Sequence, residues 1–268
     1  MEGGRMFRHA PANADSPLTT WARFNAVVVT WVDTHDCWFE VGRVPKLLKQ
    51  VEHDDDTAAW KELGWRLVLE HDLVSPASFA ALPHLVRLAP RSANARHLAG
   101  EILERAAGHH GCDDLLADCA GAIAEFREVL GQHLRSRPAD FLVSLRAMLA
   151  VEEEYHWAAV LGDFEDDFYP LTCPHCGVGV RIAIGNYGRY SATQDWNLGD
   201  VERRDLRPVA AEELTGTGKW MFEMAVHTGQ EALAGGIAHL FGRAECPLCA
   251  SVFNVADEYT SANRPVMR

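Results

Sequence analysis

Positive charge is scarce in this chain: 25 Lys and Arg stand against 38 Asp and Glu, a net charge of −13 with neutral His over 268 residues. Nucleic acid is held by clustered Lys and Arg that displace its counterions, so this balance disfavours a general footprint for DNA or RNA. Long apolar runs are missing too. The longest resemble Ala26 to Val29, far below the ~20 residues of a membrane-spanning helix. The opening MEGGRMFRHAPANADSPLTTW lacks the apolar centre and cleavage site of a secretory signal, so a reducing cytoplasm is the expected compartment. Seven cysteines are odd in number and too sparse for a disulfide scaffold. In a reducing compartment, clustered cysteines point to metal or redox chemistry. The H-E-x-x-H, P-loop, G-x-S-x-G and dinucleotide-binding fingerprints are all absent.

What is present is a 48% hydrophobic share, enough for a sizeable globular core, over a length of about two ordinary domains. Residues 1–20 read as a weakly ordered leader, and Phe24 to Trp31 as a β-branched run that could be a strand. From about 43 to 162 the pattern is helical. Trp60, Leu63, Leu67 and Val68 share one helix face. Ser75-Pro76 signals a helix start, and the helix that follows carries Phe79, Leu82, Leu85 and Val86, with a kink expected at Pro83. Further helices are expected over 93–107 (Leu98, Ile102, Leu103), over 113–134 (Cys119, Ile123, Phe126, Leu130, Leu134), around Phe141 to Leu149, and around Trp157, Val160 and Leu161.

Short helices on short loops suggest an α-solenoid, and VPKLL at Val44 to Leu48 returns as LPHLV at Leu82 to Val86, 38 residues later, close to the period of two-helix repeats. The stretch WKELGWRLVLEHDLVSPASFAALPHLVRLA, Trp60 to Ala89, resembles a HEAT-type repeat of bacterial proteins whose functions are unassigned. In those, a Trp-containing helix leads through a His-centred turn to a helix with internal proline. ADFLVSLRAMLAVE and the cysteine region with its GQ-containing helix are similar to the same group, so the resemblance extends over residues 43–257. It implies a fold and leaves the activity open.

The strongest chemical signal is a pair of motifs. Cys173-Pro174-His175-Cys176-Gly177 and Cys246-Pro247-Leu248-Cys249-Ala250 superimpose at an offset of 73 residues, and apolar alternation follows each: Val180 and Ile182 in one, Phe253 and Val255 in the other. Two thiolates separated by two residues can face one ion, and two such knuckles complete the four tetrahedral positions of zinc. The expectation is a structural zinc site on Cys173, Cys176, Cys246 and Cys249 in a ribbon-like module. A full thiolate set leaves no open position for a substrate. The 69 residues between the knuckles exceed the roughly 15–20 of compact ribbons, so an insertion must fold back. It contains a Gly- and Trp-bearing loop, Gly185 to Asp200, and one helix over 218–241 presenting Met221, Met224, Ala225, Leu233, Ile237 and Leu240.

Other readings compete. Cys-Pro-His-Cys also serves as the active-site tetrapeptide of thioredoxin-related thiol oxidants, where it opens a helix. His175 could replace a cysteine ligand, although a solvent-facing place fits it better. Cys37, Cys112 and Cys119 lack a paired spacing, and Cys119 reads as an inert core thiol. His109-His110-Gly111-Cys112 reads as a loop rather than a second metal site, and His71-Asp72 as a structural turn. Glu152, Glu153, Glu154, Asp163, Glu165, Asp166 and Asp167 read as a solvated face that could attract a basic partner. Asp54, Asp55 and Asp56 suit the cap of the helix starting near Thr57.

The expected architecture is mainly α: a HEAT-like α-solenoid over 1–165, then a small α+β zinc ribbon-like module with a helical insertion over 166–268. The expected function is a non-enzymatic, zinc-stabilised interaction module for a protein partner, a toxin or another basic protein. Two alternatives are an enzyme with a pocket between solenoid and ribbon, using His71 or the carboxylate and His cluster at 152–156, and a nucleic-acid-binding zinc ribbon. Arg203, Arg204 and Arg207 offer that last reading too little local basicity.

Overall fold

The computed structural model describes residues 31, 34–54, 56–69, 73–106, 112–162, 168–193 and 202–263. The leader, the apolar run up to Thr30, His71-Asp72, His109-His110-Gly111, Asp163, Glu165, Asp166, Asp167 and the loop from 194 to Asp200 lie outside the described residues. The described chain is mainly helical, with eleven α-helices and a small antiparallel sheet.

The first half runs α1 (Arg43–Asp54), α2 (Thr57–Leu67), a two-residue hairpin β1 (Val68–Leu69) and β2 (Leu73–Val74), α3 (Pro76–Leu88), α4 (Ala93–Ala106), α5 (Asp113–Asp118), α6 (Ala120–Arg135), α7 (Phe141–Val151) and α8 (Tyr155–Gly162). Local chemistry sets the helix starts. The Asp56 carboxylate accepts the Ala58 and Ala59 amides at 2.8 and 3.4 Å and caps α2. At α3, Pro76 occupies the first turn and the Ser78 hydroxyl accepts the Ser75 amide at 2.9 Å. Trp60, Leu63 and Leu67 are buried on α2, whereas Val68 has already left the helix for β1. The two matching pentapeptides sit at equivalent depth: Val44, Leu47 and Leu48 on α1, and Leu82, Leu85 and Val86 on α3, are all buried.

Helix α3 continues through Pro83. Proline has no amide for the carbonyl four residues earlier, that of Phe79. The Cys119 thiol donates to this carbonyl instead, at 3.5 Å. Cys119 is also where the single helix expected over 113–134 divides into α5 and α6. Its ψ of 1° breaks the helical path, so α6 alone turns Phe126, Leu130 and Leu134 fully inward while α5 buries no residue completely. Helices α4 and α7 approach so closely that a Cβ on Gly100 would lie 2.6 Å from that of Ala147. Arg96 ties three elements together: it donates to the Ala89 carbonyl at 2.6 Å and to Asp140 at 2.8 Å, and the other Asp140 oxygen meets His133 Nε2 at 2.7 Å.

The second half is built on β3 (Phe168–Thr172), β4 (Gly179–Gly185), β5 (Gly188–Ala192) and β6 (Arg203–Asp205), an antiparallel meander in chain order. Then come a 3-10 turn at Ala211–Glu213, α9 (Gly216–His227), α10 (Glu231–Leu240), the hairpin β7 (Arg243–Glu245) and β8 (Val252–Asn254), and α11 (Val255–Asn263). The expected helix over 218–241 is thus two helices. Gly229 takes φ +76°, the Gln230 amide reaches the Ala225 carbonyl at 2.8 Å, and the Gly229 amide reaches that of Val226 at 3.0 Å. This left-handed stop reverses the chain and makes α9 and α10 a hairpin. Met221, Ala225, Leu233, Ile237 and Leu240 are buried and Met224 partly so, as their spacing suggests. Val255 is buried at the start of α11 rather than on a strand.

One buried cluster extends from Val44 to Tyr259 and so crosses the boundary expected near 165. Trp157 of α8 is its hinge, with its ring 4.7 Å from Phe241 and 6.2 Å from Tyr259. Gly218 admits the Phe241 ring, which a Cβ there would meet at 2.6 Å. Next to it, the Thr217 hydroxyl donates to Glu154 at 2.8 Å, binding α9 to the end of α7.

Candidate metal centre

Each C-x-x-C motif forms the tip of a β-hairpin. The first lies between β3 and β4, which pair from Phe168 with Ala183 to Thr172 with Gly179; the second lies between β7 and β8. The two turns are built alike. The Cys173 amide donates to the Val178 carbonyl at 2.8 Å and the Gly177 amide to the Cys173 carbonyl at 3.0 Å; the Cys246 amide donates to Ser251 and the Ala250 amide to Cys246, both at 2.9 Å. Gly177 and Ala250 occupy the same left-handed position, φ +74° and +57°. The 73-residue offset is therefore an equivalence of backbone as well as of sequence.

The fold-back demanded by the long insertion is made by the sheet edge and the helical hairpin. Arg207 and Arg243 form a β-bridge beside β6 and β7, and the Ser191 hydroxyl of β5 donates to the Glu245 carbonyl at 2.6 Å. The four sulfurs converge within 4.8 Å of one another. Cys173 lies 3.8 Å from Cys249, and Cys176 lies 3.8 Å from Cys246. The first cysteine of each knuckle is buried and the second exposed. This arrangement is compatible with a metal site held by the four expected residues, and it is the one such cluster among the described residues.

The exposed sulfurs of the two knuckles differ in acidity. Cys249 falls to about 6 because the Ser251 hydroxyl and then its amide donate to the sulfur. Cys176 accepts the Val178 amide, yet desolvation and its three sulfur neighbours push it up to about 12. Holding all four sulfurs as thiolates this close together would require a positive ion to offset their repulsion. The redox tetrapeptide reading finds no support, since Cys-Pro-His-Cys sits in a hairpin turn rather than opening a helix. His175 is exposed on the knuckle and stands outside the sulfur cluster.

The remaining cysteines stay apart. Burial raises the Cys119 thiol to about 11 and also raises Cys37 and Cys112. Within the acidic stretch, Glu152 pairs with Arg127 and Glu154 accepts from Thr217. A cavity of about 120 Å³ between α4 and α7 is lined by His97, Glu101, Glu104, Arg105 and Arg146, whose polar groups meet one another: Arg146 with Glu104 at 3.2 Å, His97 Nε2 with Glu101 at 3.6 Å.

One feature of the surface escapes sequence reasoning. The turn from His35 to Val41 closes through a β-bridge around the buried Asp36 carboxylate, which accepts the Trp38 and Glu40 amides at 2.9 and 3.0 Å and Arg66 Nη1 at 2.7 Å. It presents Trp38 (57% exposed), Phe39 (84%) and Val41 beside Trp65 (57%), and Trp38 Nε1 donates to the Trp65 carbonyl at 3.1 Å. Phe39 is held at φ +60°, a costly conformation for an aromatic residue. The only sequence hint is an aromatic pair set among acids, Asp36-Cys37-Trp38-Phe39-Glu40.

No protein-family model, curated protein or solved structure matches the chain.

Proposed function

We propose that the protein is a zinc-stabilised, non-enzymatic protein-interaction module whose partner is a basic protein, such as a toxin it neutralises. The sulfur geometry carries the metal part of this reading. Four Zn–S bonds of about 2.3 Å at tetrahedral angles separate the sulfurs by about 3.8 Å, which is the spacing of Cys173 from Cys249 and of Cys176 from Cys246, with all four sulfurs within 4.8 Å of one another. Zinc held by four thiolates has no open position, so its contribution is folding energy rather than Lewis-acid chemistry. In this reading the two knuckle hairpins are a zinc ribbon with a helical insertion, and the equivalent buried faces of α1 and α3 are repeats of a HEAT-like array.

The interaction part is supported by the rigid, strained turn that exposes Trp38 and Phe39 beside Trp65. Trp is prominent among residues that dominate protein interfaces, and a turn fixed in advance loses little freedom on binding. The net charge of −13 favours a basic partner through long-range attraction.

The test has two arms. The purified chain is expected to contain about one zinc by elemental analysis, and Cys173→Ala or Cys249→Ala should lose it together with thermal stability. A tagged Phe39→Ala chain should retain zinc but lose the partner that the wild-type chain captures from its host. A stable chain without bound metal overturns the first arm. Turnover of a small molecule, with no specific partner captured, overturns the second.

A further inference from the structure

We infer that the exposed sulfurs of Cys176 and Cys249 are a site of oxidation by hydroperoxides, and that oxidation joins the two knuckles to each other, Cys173 to Cys249 and Cys176 to Cys246, expelling the metal. The release of the ion rests on the zinc reading above; the pattern of bonds does not. Exposure decides where an oxidant enters, because solvent reaches Cys176 and Cys249 but not Cys173 or Cys246. Proximity decides what happens next. All four sulfurs lie within 4.8 Å of one another, and the contacts at 3.8 Å each join an exposed sulfur to a buried one of the opposite knuckle, Cys249 with Cys173 and Cys176 with Cys246, which favours bonding across the knuckles.

The chemistry balances in two steps per pair. The exposed thiolate attacks the terminal oxygen of a hydroperoxide; the O–O bond breaks, the sulfur becomes a sulfenic acid, and the oxygen leaves as an alcohol after taking up a proton. The buried thiolate then attacks that sulfenic sulfur, the S–S bond forms, and hydroxide leaves and is protonated to water. Each pair gives up two electrons to one hydroperoxide. Once both pairs have reacted the ion has no thiolate ligands and dissociates.

The expected bonds are not those that the C-x-x-C spacing alone suggests. Bonds within each knuckle would leave the two hairpins unlinked once the ion departs. Cross-knuckle bonds replace the ion with a covalent clasp between the same hairpins. The turn hydrogen bonds of Cys173 with Val178 and of Cys246 with Ser251 are backbone to backbone and do not depend on the metal. Oxidation is therefore expected to exchange one clasp for another and to leave the fold in place.

The experiment treats the full-length, zinc-loaded chain with tert-butyl hydroperoxide, follows zinc with a chromogenic chelator, blocks remaining thiols and analyses a non-reducing proteolytic digest by mass spectrometry. The expected result is complete zinc loss, with the peptide bearing Cys173 and Cys176 covalently linked to the one bearing Cys246 and Cys249. In Cys176→Ser the link should persist through Cys173 and Cys249 while Cys246 remains a free thiol. Two separate peptides, each with an internal disulfide, overturn the proposal, as does zinc that stays bound with all four thiols intact. If the purified chain holds no zinc, the zinc reading fails, and the same digest of the metal-free chain still decides the bonding pattern.

Discussion

The thiol of Cys119 replaces a hydrogen bond that Pro83 removes, and this can be measured as a coupling between two residues 36 positions apart in sequence. Cys119→Ala leaves the Phe79 carbonyl without the sulfur donor and without an amide at position 83. An unsatisfied buried polar group costs about 1–3 kcal/mol, and the lost thiol packing adds roughly 1 kcal/mol. In a Pro83→Ala background, position 83 regains an N–H in line with the Phe79 carbonyl, and the same cysteine change should cost only the packing. The double variant should therefore be less destabilised than the sum of the singles by about 1–2 kcal/mol. Urea unfolding of the four chains measures this, provided the slope of stability against denaturant stays constant. Additivity within about 0.5 kcal/mol would refute the assigned role of the thiol.

The equivalent left-handed positions of the knuckles make opposite predictions. Gly177→Ala, which finds no atom within 4 Å of the new Cβ, should cost about 1 kcal/mol from backbone conformation alone, whereas Ala250→Gly should be neutral or stabilising; equal and same-sign shifts in unfolding midpoint would contradict this. Acid should weaken the fold through Asp140. Burial raises its carboxyl, but hydrogen bonds from His133 and Arg96 outweigh burial and hold it below the ordinary range. A depressed carboxyl binds fewer protons folded than unfolded, so its stabilisation is complete above about pH 4 and is lost as pH falls through the folded value. Asp140→Asn should flatten that part of the stability–pH curve, and an unchanged slope between pH 5 and 3 would show that the carboxylate contributes nothing there.

Helices such as α2 and α6 were legible because each buries one face, and the recurrence of Phe126, Leu130 and Leu134 is a local property of the chain. The breaks were harder to read. The apolar spacing of Met221, Ala225, Leu233 and Ile237 suits one long helix, because after a reversal at Thr228-Gly229 both arms still face the same core. Gly229 was the available signal. The four-cysteine cluster was legible for a related reason: a C-x-x-C knuckle is a four-residue structure that needs no distant partner to be recognised. How the knuckles meet was not legible, since that depends on the bridge between Arg207 and Arg243 and on the contact of Ser191 with Glu245. The exposed Trp38 and Phe39 depend on Asp36 reaching Arg66, 30 residues away, a pairing that no periodicity encodes.

The long insertion changes what the clasp is worth. In the chain-entropy description, linking two points about 70 residues apart removes roughly 4 kcal/mol of unfolded-state freedom, against about 3 kcal/mol for the 15–20 residues of a compact ribbon. That figure presumes a loop that is otherwise free. Here the intervening chain is anchored on its own account, by Thr217 to Glu154, by the Phe241 ring seated on Gly218, and by the packing of the tilted Phe241 ring against Trp157. Part of the loop is thus closed by contacts with the helical half before any ion binds. The remaining effect of the proposed ion would fall on the segments these anchors do not reach, the hairpin β7–β8 and the Cys173 to Cys176 turn. With an ion bound as proposed, the metal and the Trp157 cluster would act in series along the same chain, the aromatic contacts fixing the insertion and the four sulfurs fixing its two ends.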